Sequence, residues 1–140
     1  MIAFLRPVAY ARHVDVALLL LRTGVSAMML THGWPKLAGF AERSGRFYDF
    51  MGLGSEISLS LAVFAEFFCS IALFFGLGTR LVLVPLIITT IVIAFMVHAD
   101  DPYKEKEHAL LFLVPYLTLM LTNSGRYALD YMIFRRQRNG

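Results

Sequence analysis

Ionisable side chains inside long apolar runs carry the first chemical information in this sequence. Arg22 interrupts the run 16–31 and Glu66 the run 57–75. A charge at the centre of a bilayer costs ~2.5–3.5 kcal/mol on insertion scales, so such groups face protein and find partners. Arg22 is six residues in from Val16, ~9 Å from one edge, and Glu66 nine residues from Ile57, ~14 Å from the other edge of a ~30 Å apolar slab. The two backbones then differ in depth by roughly 7 Å, within reach of a long arginine. The spacing therefore predicts a buried Arg22–Glu66 ion pair joining the first two apolar elements, as a structural lock or with Glu66 handling protons. A second group collects where apolar runs end: His32 and Lys36 one helical turn apart, His98, and the adjacent Glu107 and His108. Imidazole, carboxylate and ammonium at one mouth fit three readings. They are a solvated rim whose charges snorkel, a pocket for a polar small molecule or quinone headgroup, or a metal or haem site. His32 and His98 are the metal candidates, but no strict ligand spacing joins them. Met28 and Met29, one turn before His32, would add soft ligands for copper. At the opposite mouth stand Arg80, Arg126 and Asp130. Asp130 is expected to pair with Arg80 or Arg126 and so dock the C-terminal tail on the turn between the second and third runs.

The elements that position these groups follow from the apolar pattern. The chain has 140 residues, 58% hydrophobic and only 16% charged, with a mean hydropathy of +0.64. Soluble domains sit near 45–50% apolar and ~25% charged. Four runs approach the ~20 residues a bilayer crossing needs. They predict an all-α, integral membrane four-helix bundle as a single domain over 1–140. The spans fall at about 16–32, 57–75, 80–97 and 103–122, with an interfacial tail at 125–140. In the last span Asp101 caps the helix and Pro102 takes its first position. Strands could cross only as a closed barrel, which four runs cannot form. On the second span, Ala62, Ala65, Cys69, Ala72 and Gly76 form a stripe of small residues at helical period, the face that admits a neighbouring helix. Glu66 borders that stripe and should face protein. The connection 33–56 is rich in aromatics (Trp34, Phe40, Phe47, Tyr48, Phe50) and should lie on the membrane or fold over the bundle mouth.

Charge sets orientation and excludes some functions. Arg6, Arg12, Arg80, Arg126, Arg135, Arg136 and Arg138 fall on one side, and Lys36, Arg43, Arg46, Lys104 and Lys106 on the other. Seven against five places both termini in the cytoplasm. The first run lacks an A-x-A-like cleavage site and reads as a retained span rather than a signal peptide. The net charge of +3 is scattered, without a basic stripe, so nucleic acid is not an expected partner. The single cysteine, Cys69, offers no disulfide or C-x-x-C chemistry and reads as a small packing residue.

Several segments, taken in order, resemble the DoxX family. His32-Gly33-Trp34-Pro35-Lys36-Leu37 resembles that family's HGxxKL segment, and Leu20-Leu21-Arg22 the arginine of its first apolar run. Glu66 followed by Gly76-Leu77-Gly78-Thr79-Arg80 resembles its E…GLxTR segment. His98 with Glu107-His108-Ala109-Leu110 is similar to its H…E-x-A-L pattern, and Gly125-Arg126-Tyr127-Ala128-Leu129-Asp130 to its closing GRYSLD, with alanine in place of serine. The resemblance implies a small multi-pass protein of the bacterial inner membrane. It also implies a loose link to oxidoreduction, through a thiosulfate:quinone oxidoreductase subunit. Two functions remain in play. One is a quinone-linked or small-ligand-binding subunit of a membrane oxidoreductase system, with the lipid bilayer and a quinone or redox protein as partners. The other is a non-catalytic factor that binds or assembles partner proteins. A homo-oligomer is compatible with either.

Overall fold

A computed structural model describes residues 8–138, and the side chains of 136–138 are not part of that description. Arg6, and the side chains of Arg136 and Arg138, all used to orient the chain, therefore lie outside the described residues. Every element among the described residues is helical. The first, α1 (Arg12–Ala38), has 27 residues, and a short α2 (Phe40–Arg43) follows. The helix α3 (Ser55–Phe75) has 21 residues, α4 (Thr79–Val97) has 19, and α5 (Tyr103–Thr122) has 20. The tail forms α6 (Leu129–Arg138).

Helices α1, α3 and α4 are long and apolar enough to cross a membrane. α5 is as long, but its first turns carry Lys104, Glu105, Lys106 and Glu107. Side chains pointing away from the protein support lipid as the solvent. Leu20, Phe64, Phe75, Phe95, Leu111 and Leu121 are all exposed, and in water such a surface would drive aggregation. α1 packs on α3, α3 on α4, and α4 on α5, and α5 returns to α1. Leu18, Val25, Met29, Cys69, Leu73, Leu83, Leu86, Phe112, Tyr116 and Leu119 fill the core between them.

The helix ends depart from the apolar runs in informative ways. α1 does not stop at His32 but continues through Pro35. A proline deletes one helical hydrogen bond, and a close contact here holds the turn in place. A Cβ on Gly33 would sit 2.7 Å from the Glu66 carbonyl carbon and 2.8 Å from the Phe67 nitrogen, so only glycine lets α1 touch the α3 backbone. Pro102 occupies the N-cap of α5 rather than its first helical position, with no side-chain cap. Asp101, the expected cap, lies beside His98 instead, Oδ2 2.7 Å from Nδ1. Two helices contain π turns, at Phe64–Cys69 in α3 and at Ile93–Val97 in α4. Such turns insert a residue, re-aim side chains, and occur often at functional sites.

Candidate functional site

The two π turns border one cavity of about 430 Å³. Phe64 and Glu66 come from the first turn, and Ile93 and Val97 from the second. Leu61, Pro85, Ile88 and Val92 supply most of the remaining wall, with Phe47, Tyr48 and Phe50 from the connection between α2 and α3. That connection is tied down by Ser58. Its hydroxyl accepts the Phe50 N–H at 2.9 Å and donates to the Gly54 carbonyl at 2.8 Å. Asp49 Oδ1 accepts the Gly54 N–H at 2.8 Å. Of the five aromatics expected over this mouth, Phe47, Tyr48 and Phe50 line the cavity, whereas Trp34 lies against Phe67 with ring centroids 5.9 Å apart.

Within this apolar wall Lys36 donates a hydrogen bond to Glu66 Oε2. The Glu66 side chain is 1% exposed and that of Lys36 21%, so the pair joins the buried interior to the cavity. A partly desolvated ion pair attracts more strongly than one in water, at the cost of the hydration each charge gives up. It also presents an ammonium donor and a carboxylate acceptor at one fixed place. Cavities of 300–1,000 Å³ with few polar groups in an apolar lining accommodate small organic ligands.

The expected Arg22–Glu66 pair does not form, because Lys36 takes the carboxylate. Gly33 touches α3 at Glu66, whereas a Cβ on Gly76 would lie 2.1 Å from Arg22 Nη1. Arg22 and Gly33 are eleven residues apart on one helix, ~16 Å along its axis. Glu66 therefore lies level with Gly33, five residues before the end of α1, rather than level with Arg22. The Arg22 guanidinium instead donates from Nη2 to the Tyr127 carbonyl at 3.3 Å.

The remaining candidates separate. His98 lines the cavity with Lys36. His32 and His108 meet elsewhere, Nε2 to Nε2 2.9 Å apart, and both rings pack edge-on against Phe112. Glu107 is exposed and outside the cavity lining. Among the described residues no group of three or more His, Cys, Asp or Glu side chains is arranged to hold a metal ion. His32 and His98, the metal candidates, have different neighbours.

At the opposite end the tail docks on the α3–α4 turn, but not through an ion pair of Asp130 with Arg80 or Arg126. Asp130 Oδ1 accepts the Gly78 N–H and Oδ2 the Thr79 N–H, both at 2.9 Å. The first N–H groups of a helix have no partner within it, so Asp130 caps α4 from the tail. Its own N–H donates to the Gly76 carbonyl at 3.0 Å. Arg126 goes to Asp15, Nε to Oδ2 3.3 Å, and Arg80 donates from Nη2 to the Leu121 carbonyl at 3.2 Å. Asp15 was missed in the sequence because it precedes the apolar run. It is fully buried, and its Oδ1 also accepts the Arg126 N–H at 3.0 Å. Its one signal was an acid in a first helical turn, where the helix dipole favours it.

The segments that meet at the two ends, His32 to Lys36 with Glu66, and Gly76 to Arg80 with the tail, are those on which the family resemblance rested. The family model described as DoxX matches residues 17–99. The chain belongs to the DoxX family. The matched stretch carries Lys36, Glu66 and His98, and stops before His108 and Asp130. A Bacillus subtilis (strain 168) protein named "Putative oxidoreductase CatD" is 32% identical, over 90% of this chain and 93% of its own length. An Escherichia coli (strain K12) protein named "Inner membrane protein YqjF" is 27% identical, over 87% of this chain and 95% of its own length. No solved structure matches this DoxX-family chain.

Proposed function

We propose that this DoxX-family chain is a four-span bundle of the bacterial inner membrane, termini in the cytoplasm, that binds a small apolar ligand with a polar head. The ligand class is a quinone, and the chain serves a membrane oxidoreductase system. The observation that carries the reading is the Lys36–Glu66 pair set into an apolar cavity between two π turns. A quinone ring would fill the apolar volume. Its carbonyl oxygen would accept from Lys36, and the hydroxyl of its reduced form would donate to Glu66. His98, at the same cavity, is a second candidate donor. One relative carries an oxidoreductase name and another an inner-membrane name, which agrees with this setting.

Trp34 is the single tryptophan and lies against Phe67, on the helix that carries Glu66, so its fluorescence reports on ligands nearby. Detergent-purified protein is titrated with a short-chain ubiquinone analogue and with menadione. Saturable quenching is expected, weakened more than about tenfold in Lys36→Met, where the donor worth ~1.5–3 kcal/mol is gone. Quenching that never saturates, or is the same in Lys36→Met and Glu66→Gln, would reject the assignment.

A further inference from the structure

His32 and His108 are left unused by the cavity, and their geometry suits a different ligand. We propose that they form a copper-binding site, with Met28 as a third, thioether ligand. This goes beyond the quinone reading and does not depend on it.

Distance is the first argument. The two Nε2 atoms are 2.9 Å apart, one from α1 and one from α5. Imidazole–metal bonds are ~2.0–2.1 Å, so neighbouring positions of a square-planar ion are ~2.9 Å apart, whereas tetrahedral zinc spreads them to ~3.3 Å. The ring planes meet at 68°, and both rings must turn off the line joining the two nitrogens to aim at one ion. When the two imidazoles are neutral, one Nε2–H donates to the other ring's Nε2. Copper replaces that proton once the donor ring carries its hydrogen on Nδ1, and no net proton is gained or lost.

The surroundings agree. Phe112 packs edge-on against both rings, with centroids 5.6 Å from His32 and 5.4 Å from His108. It is buried, so it backs the pair rigidly from the core. Met28 lies four residues before His32, on the same face of α1 and exposed. Residues four apart on a helix are neighbours on its surface, which puts the Met28 thioether within one turn of the His32 ring. A thioether beside two imidazoles selects copper over the hard cations. The nearest cation on α1, Lys36, is neutralised by Glu66. Glu107 adds an exposed carboxylate next to His108, and both rings are exposed rather than closed inside the core. Bound copper would clamp α1 to α5, the contact that returns the last long helix to the first.

The test uses full-length protein without a polyhistidine tag. Cu²⁺ is titrated by calorimetry and electron paramagnetic resonance, and Cu⁺ by competition with a chromogenic chelator. One Cu²⁺ per chain is expected, with a Kd on the order of micromolar, since copper heads the divalent series for such ligands. Its spectrum should show two coupled imidazole nitrogens. His32→Gln and His108→Gln should each weaken binding more than about tenfold, as loss of one of two anchoring ligands requires. Met28→Leu should weaken Cu⁺ alone, and His13→Asn neither ion. Undiminished binding in the His32→Gln/His108→Gln double variant would overturn the proposal, as would parent protein that binds only at millimolar copper. If a variant fails to fold, pulsed spectra of the parent still decide, because fewer than two coupled imidazoles also overturns it.

Discussion

Replacing Lys36 by methionine tests the ion pair at the centre of the site. Methionine keeps most of the aliphatic stem and removes the ammonium, so the change in packing is small. The consequence falls on Glu66, whose side chain is 1% exposed and whose Oε2 faces Lys36. Breaking a buried pair from one side costs ~3–5 kcal/mol, because the remaining charge keeps its desolvation penalty without its partner. The Lys36 side chain is 21% exposed, so water can relieve part of this, and the lower end of that range is expected. Glu66→Gln should cost a similar amount, since it leaves the ammonium facing a neutral amide. In the double variant neither charge remains. The loss in the double variant should then fall short of the sum of the two single losses by ~1–3 kcal/mol, the coupling of residues in direct contact. Reversible unfolding of the detergent-solubilised protein gives all four corners of the cycle. A parallel cycle with Arg22→Met and Glu66→Gln should be additive within ~0.5 kcal/mol, as for residues far apart with no shared partner. Coupling in the arginine cycle and none in the lysine cycle would refute the assignment of partners.

Three further outcomes follow from the geometry. Gly33→Ala places a methyl group 2.7–2.8 Å from backbone atoms of Glu66 and Phe67, so α1 and α3 must separate. A loss of ~1–3 kcal/mol in the same unfolding assay is expected, and an unchanged stability would show that the helices do not touch there. Asp130→Ala removes both acceptors that cap α4 and should cost ~1–3 kcal/mol, with faster proteolysis of the tail; tail cleavage at the parental rate would contradict the docking. Tyr116→Phe deletes a fully buried hydroxyl that lies near the Ser70 side chain without reaching good hydrogen-bond geometry, so melting should stay level or rise. A clear drop would mean that the hydroxyl is bonded.

What the sequence makes legible depends on the range of the physics involved. The all-helical class and the candidate spans follow from hydropathy and bilayer thickness, and both act over single elements. The small-residue stripe is equally local. Ala62, Ala65 and Cys69 are indeed buried, because a helical period of small side chains fits only a close neighbour. The polar residues worth watching were also legible, since a charge among apolar neighbours is conspicuous wherever it points. Partner choice was not. Glu66 meets Lys36 rather than Arg22 because α1 runs through Pro35 to Ala38, and because the Gly33 contact, not the end of an apolar run, sets the register of α1 on α3. Composition carries neither fact. Asp130 was expected to find a guanidinium, yet the unpaired N–H groups at the start of α4 are fixed donors already in place. An arginine at an interface has water as an alternative partner.

The π turns show the limit most clearly and also connect fold to site. In α3 the insertion falls on Phe64–Cys69, within a run broken only by Glu66, and one charged residue among apolar neighbours does not reveal a change in helical period. Its effect is to carry Glu66 against Gly33 and toward Lys36 while Phe64 and Leu61 open onto the cavity. The second insertion ends at Val97 and delivers His98 to the same rim. A helix with regular hydrogen bonding would keep each of these side chains in step with the packed stripe behind it. Two irregular turns facing one another across one cavity weaken backbone hydrogen bonding where ligand-sized space exists, and such local cost persists where the surrounding structure over-determines it. The four helices thus supply a packed frame, and the departures from ideal geometry within α3 and α4 border a ligand-sized cavity in it.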